Sequence, residues 1–167
     1  MKDNVLLQMG EPAGASVQRR ANPRHRILVV DDDSDLRRLY ADALTRPGCC
    51  VDAAEDGAAG WEALQANNYH LLITEHSLPK LTGVELVRKL RAARMVLPVV
   101  MAAGRLPAQE LTRNPSLQLA AVLTKPFYMS QLLETVGAVL RAVDSPPEQL
   151  EPPPDWPSQR SAIGLQL

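Results

Sequence analysis

Three consecutive carboxylates, Asp31-Asp32-Asp33, follow the apolar run Ile27-Leu28-Val29-Val30. Glu75 follows Leu71-Leu72-Ile73, Ala103-Gly104 follow Val99-Val100-Met101, and Lys125-Pro126 follow Ala121-Val122-Leu123. If these runs are neighbouring strands, the carboxylates converge on one crevice. Their mutual repulsion then raises their pKa values unless a cation is present. A hard divalent ion such as Mg²⁺ relieves that repulsion, because it takes a few carboxylate oxygens and keeps several waters. Lys125, on the opposite lip, balances charge or holds a phosphate oxygen. These residue types therefore point to a Mg²⁺ and phosphoryl site. The plain alternative is a solvated acidic rim with Lys125 in a salt bridge.

The elements that must position these groups follow from periodicity. Short continuous apolar runs suit strands buried on both faces. Between them, Leu36, Leu39, Tyr40, Ala43 and Leu44 recur at helical spacing until Pro47-Gly48 stops the helix. Cys49–Ala54 reads as a second strand, with Asp56-Gly57 opening a helix through Trp61 and Leu64. Thr82-Gly83-Val84-Glu85 is a capping box, ahead of Leu86, Val87 and Leu90. Pro107 suits the first turn of a short helix that Asn114-Pro115 ends. The last helix carries Leu132, Leu133, Val136, Val139, Leu140 and Val143 on one stripe. Five strand–helix units in series predict an α/β fold, with a parallel sheet, right-handed crossovers and helices on both faces. Ligands of such sheets bind beyond the carboxyl ends of the strands.

The ends of the chain differ from this middle. Residues 1–25 lack periodicity and read as a flexible leader, residues 26–143 as the folded domain. Six of the 14 prolines fall within residues 144–167, where they break helix and strand alike. That stretch reads as a disordered, extended tail, or else as a docking peptide anchored by Trp156, Ile163, Leu165 and Leu167. The net charge of −1 gives no electrostatic case for binding nucleic acid. No apolar run approaches the roughly 20 residues of a membrane span, and the N-terminus lacks a secretory apolar region, so a cytoplasmic location is expected. Cys49 and Cys50 are adjacent, which rarely allows an unstrained disulfide. His25, His70 and His76 have no metal-ligand spacing, and His76 is expected at the crevice rim. Ser77 has no His–acid partners for nucleophilic work. Gly57 and Gly60 belong to helix packing, since no Lys-Ser/Thr follows them as in a phosphate loop, and Trp61 is expected in the core.

ILVVDDDSDLRRL, LLITEHSLPKLTG and AAVLTKPF, in that order and spacing, resemble the receiver domain of two-component response regulators over residues 26–143. The resemblance implies a five-stranded sheet of order 2-1-3-4-5. It also implies that a carboxylate at the end of strand three accepts a phosphoryl group, with Mg²⁺ linking that carboxylate, the acidic pair and the phosphoryl oxygens. Carried over, Asp32 is the direct metal ligand, Asp31 acts through water, the Ser77 backbone carbonyl completes the protein ligands, and Lys125 binds a phosphoryl oxygen.

Three positions depart from that pattern. Glu75 stands where the family has its phosphoaccepting Asp, and its extra methylene carries the carboxylate about 1.5 Å further. A misplacement of about 1 Å in a reacting group costs on the order of 100-fold. Ala103 replaces a Ser or Thr hydroxyl, and Val122 replaces a frequent rotating aromatic. The expectation is a single-domain receiver, impaired in phosphorylation and acting by protein–protein contact. Glu75 then acts either as a fixed negative charge in place of a phosphoryl group or as a partner of Lys125 that keeps the crevice neutral. The partners expected are a sensor histidine kinase, a phosphotransfer protein or a downstream effector, met through the face of the fourth and fifth expected helices and fifth strand, with a homodimer also open. It is not expected to be an enzyme beyond self-phosphorylation and dephosphorylation. The alternative is a working Mg²⁺-dependent phosphoacceptor, with an acyl phosphate on Glu75.

Overall fold

The computed structural model describes residues 25–104 and 115–145. Five parallel strands form one sheet: β1 (Arg26–Val30), β2 (Cys50–Ala54), β3 (Leu71–Glu75), β4 (Val99–Ala103) and β5 (Ala121–Thr124). Their order is β2-β1-β3-β4-β5, as the resemblance implied. Among the described residues, four α-helices connect or follow them: α1 (Ser34–Thr45), α2 (Gly57–Ala66), α3 (Gly83–Ala92) and α4 (Met129–Asp144).

Alternation along the strands divides the core into two layers. Leu28 and Val30 of β1 join Leu72 and Met101 beneath Leu64 of α2 and Leu86 and Leu90 of α3. Ile27 and Val29 face the other way and join Leu71, Ile73 and Val100 beneath Tyr40 and Leu44 of α1 and Leu132, Val136 and Leu140 of α4. β1, β3 and β4 carry the fully apolar runs because both of their faces are covered, while the edge strand β2 is half open. Each fully buried Leu or Ile contributes about 1.5–3 kcal/mol by leaving water.

The helix starts obey the local signals. Asp33 caps α1 by accepting from the amides of Asp35 and Leu36. Asp56 caps α2 through the Ala59 amide, and Thr82 and Glu85 form both bonds of the capping box on α3. Register does the rest. Val30 pairs with Thr74, Glu75 with Ala102 and Ala103 with Thr124, so Asp31, Glu75 and Lys125 emerge at the same carboxyl edge.

Several expectations shift. Glu75 and Ala103 are the last residues of their strands rather than the first beyond them. Leu39, Leu133 and Val143 belong to the apolar stripes, yet they stand 51%, 37% and 44% exposed. Trp61 is only half-buried, packed against the core with the Lys89 ammonium over its ring. His25, expected in the leader, is tied to the body through Nε2 to Asp144 Oδ1 at 3.0 Å. The rest of the leader, the helix after Pro107 and the tail beyond Ser145 lie outside the described residues, while Pro115–Leu117 forms a 3₁₀ turn.

Candidate functional site

Asp31 leaves β1 at the carboxyl edge of the sheet and is 2% exposed. Its two oxygens are both engaged: Oδ1 accepts from the Asp33 amide at 2.9 Å and Oδ2 from Lys125 Nζ at 3.1 Å. The Asp31 amide in turn donates to the Ala54 carbonyl at 3.2 Å. Asp32 is exposed. Asp33 faces its own helix, and the amides of Leu36 and Asp35 hold its carboxyl below the usual carboxylate range. The three adjacent acids thus divide their work between crevice, solvent and helix cap.

Glu75 enters the same crevice from β3, 8% exposed. Its Oε1 lies at the long distance of 3.4 Å from the Ser77 amide. Its Oε2 is buried and meets the Lys125 ammonium as an ion pair, without the alignment of a hydrogen bond. Lys125 comes from the end of β5, where its amide donates to the Ala103 carbonyl at 2.8 Å. Burial pulls the Lys125 ammonium down, and the contacts with Glu75 and Asp31 outweigh that, so its pKa lies above the ordinary lysine value. One cation therefore bridges two buried carboxylates.

The oxygens of Asp31, Glu75 and the Ser77 carbonyl are of the hard type that Mg²⁺ takes. In the present arrangement, however, Lys125 holds one oxygen from each buried carboxylate, and Asp32 stands exposed outside them. Among the described residues, no three His, Cys, Asp or Glu side chains are grouped so as to hold a metal ion. The donors fit Mg²⁺ in kind, and this arrangement of them does not.

The loop that carries His76 and Ser77 is held from two sides. Lys80 pairs with the buried Asp56 at 2.5 Å, which places the loop over the start of α2. The Lys80 hydrogen bond and the Ala59 amide hold the Asp56 carboxyl below its usual range. A Cβ on Gly57 would fall 1.9 Å from the Leu81 carbonyl oxygen, and one on Gly83 would fall 2.1 Å from that of Glu75. Both glycines are required by close backbone approach. The Gly83 amide also donates to the His76 carbonyl at 2.9 Å, so α3 is seated directly on the end of β3. Gly57 is legible in the sequence as helix packing, whereas the Asp56–Lys80 clasp and the seat under Gly83 are not. A capping Asp and a lysine in a later loop carry no mutual spacing signal.

The remaining sequence-predicted positions are placed as follows. Ala103 is fully buried and offers no hydroxyl. Val122 is half-buried and pairs with Met101 in register. His76 reaches the neighbouring Ser77 hydroxyl with Nδ1 at 3.2 Å. His70 sits at the opposite edge of the sheet, where its Nδ1 accepts from the Arg26 amide. Tyr40 and Phe127 stack beside Lys125 with centroids 6.0 Å apart.

Comparison with known proteins agrees with this geometry. The family model described as the response regulator receiver domain matches residues 27–137. The response regulator receiver protein CpdR of Brucella abortus is 31% identical over 117 residues, covering 70% of this chain and 98% of that protein. The transcriptional regulatory protein RprY of Bacteroides fragilis is 30% identical over 118 residues, covering 71% of this chain and 50% of that protein. This chain thus spans about half the length of RprY and nearly all of CpdR. Among solved structures, the response regulator protein TrrA of Thermotoga maritima, in complex with Mg²⁺ and BeF, matches at 25% identity with a TM-score of 0.62, covering 69% of this chain and 98% of that one. The chain belongs to the response regulator receiver domain family.

Proposed function

We propose that this chain is a receiver whose two buried crevice carboxylates are held by its own lysine, and that it signals by protein–protein contact without accepting a phosphoryl group efficiently. The observation that carries this reading is the single Lys125 ammonium on both Asp31 and Glu75. The longer arm of glutamate reaches the cation that an incoming phosphoryl oxygen would need. It also fills space in which the phosphorus would have to stand. With alanine at 103 and valine at 122, no hydroxyl or aromatic is present there to relay a change in the crevice. The partners proposed are those of two-component signalling: a sensor histidine kinase, a phosphotransfer protein or a downstream effector.

Intact-mass spectrometry after incubation with acetyl phosphate and Mg²⁺ tests the reading, comparing wild type with Glu75→Asp. The shorter side chain withdraws from Lys125 and leaves Asp31, Asp32 and the Ser77 carbonyl to hold Mg²⁺. The expected result is a phosphoryl adduct on the Asp variant alone. An adduct on the wild type overturns the proposal and makes Glu75 a working acceptor.

A further inference from the structure

We propose that residues 146–157 of this same chain dock into the groove between α1 and α4, with the Trp156 indole seated beside Gly137. The groove holds about 570 Å³ and is walled by Leu44, Cys49, Leu133, Val136 and Leu140, a size in the range of ordinary ligand pockets. Leu133, on its lip, is 37% exposed.

Gly137 marks a notch in this groove. It lies in the middle of a 16-residue helix, where glycine is destabilising relative to alanine. Packing does not demand it, because a Cβ there would meet only the flexible end of Arg141, Nη1 at 3.3 Å. The missing side chain opens the wall at the place where a flat ring can enter.

Charge and connectivity select the occupant. From Pro146 to Pro157 the sequence carries Glu148, Glu151 and Asp155 and no Lys or Arg. The groove presents Arg46 and Arg141, and its own acid, Asp144, is bonded to His25. α4 ends in the mouth of the groove, where Ser145 turns to extended backbone. An extended proline-rich chain reaches about 34 Å from Ser145 to Trp156, against about 24 Å for the whole of α4, which leaves slack for the chain to reverse. A short tether holds the segment at an effective concentration of about 1 mM. An isolated-peptide Kd of about 0.1 mM then favours the docked form about tenfold.

The test is amide NMR on the full chain, comparing wild type with Trp156→Ala and Gly137→Leu. Docking requires that Trp156→Ala shift the amides of Leu44, Cys49, Leu133 and Gly137, unchanged over tenfold dilution. Gly137→Leu fills the notch, and it should raise the melting temperature while reproducing the Trp156→Ala shifts along α1. A peptide of residues 146–157 added to the Trp156→Ala protein should move those amides back towards the wild-type positions. Shifts confined to the neighbours of residue 156 overturn the proposal. Groove shifts that fade on dilution overturn it too, by assigning the groove to a second copy. None of these outcomes depends on whether Glu75 accepts a phosphoryl group.

Discussion

Glu75 on β3 and Asp31 after β1 are joined through Lys125, whose ammonium stands 3.1 Å from Asp31 Oδ2 and in contact with Glu75 Oε2. Two buried carboxylates against one cation leave a local charge of −1, and burial makes that excess expensive. The lysine is 23% exposed at its side chain, against 3% and 9% for its partners. Solvent therefore reaches the cation more than the anions. The crevice depends on Lys125 for its stability as well as for any chemistry.

Lys125→Met should destabilise the fold by about 2–3 kcal/mol, somewhat less than the 3–5 kcal/mol for breaking a fully buried pair. Adding Glu75→Gln should return part of that loss, since one of the two stranded charges is then gone. Urea denaturation of both single variants and the double variant gives the coupling energy directly. Strictly additive effects would mean that Lys125 and Glu75 do not share an interaction.

Gly83→Ala should damage the site from behind. The new methyl would meet the Glu75 carbonyl oxygen at 2.1 Å, and neither backbone can yield without moving β3 or α3. Overpacking of this kind costs about 1–3 kcal/mol. Gly60→Ala meets only side-chain methyls, those of Val30 at 2.9 and 3.3 Å and one of Leu86 at 3.4 Å, and should cost less. Thermal melts of the two variants rank them, and a smaller loss at Gly83 would contradict the seat described for α3.

The fold was legible because its signals are local and repeated. Apolar runs gave the buried strands β1, β3 and β4, and Thr82 with Glu85 gave the start of α3. The carboxyl-edge residues were legible for the same reason, since each ends or follows a strand. A salt bridge of Lys125 with the crevice acids was legible as an alternative, although its span of 94 residues to Asp31 carries no pattern of its own. What escaped was the pairing of Lys80 with Asp56 across 24 residues, which no spacing signals. Leu39 and Leu133 were misjudged differently: helical periodicity assigns a face, but it does not say whether another element covers that face.

Neutralising the charge in the crevice separates two roles for Glu75. If its negative charge stands in for a phosphoryl group, Glu75→Gln should weaken or strengthen binding to a receiver partner without unfolding the chain. Calorimetry against a candidate phosphotransfer protein or effector reads this, with Asp42→Asn on the exposed side of α1 as a charge change outside the crevice. Equal affinities for wild type and Glu75→Gln would leave Glu75 as a counter-ion of Lys125 and nothing more.

Stability should also form a plateau bounded by two sets of charges. Asp33, Asp56 and Glu85 all have pKa values lowered in the folded chain, by backbone amides for Asp33 and Glu85 and first by the Lys80 hydrogen bond for Asp56. A lowered carboxylate contributes stability that is complete above its unfolded pKa, about 4, and is lost as pH falls through the folded value. Lys125 is raised, and so is Lys80 through its hydrogen bond to Asp56. Their contribution is complete below about 10.4 and is lost as pH rises through the folded values. Unfolding free energies measured by urea from pH 2 to 11 should therefore be flattest between about pH 5 and 10. Asp56→Asn keeps an oxygen for the α2 cap but loses the charge facing Lys80. It should reduce both the acid slope and the alkaline slope. A change on the acid side alone would mean that Lys80 gains nothing from Asp56, and that the clasp over the β3–α3 loop is a contact of position rather than of charge.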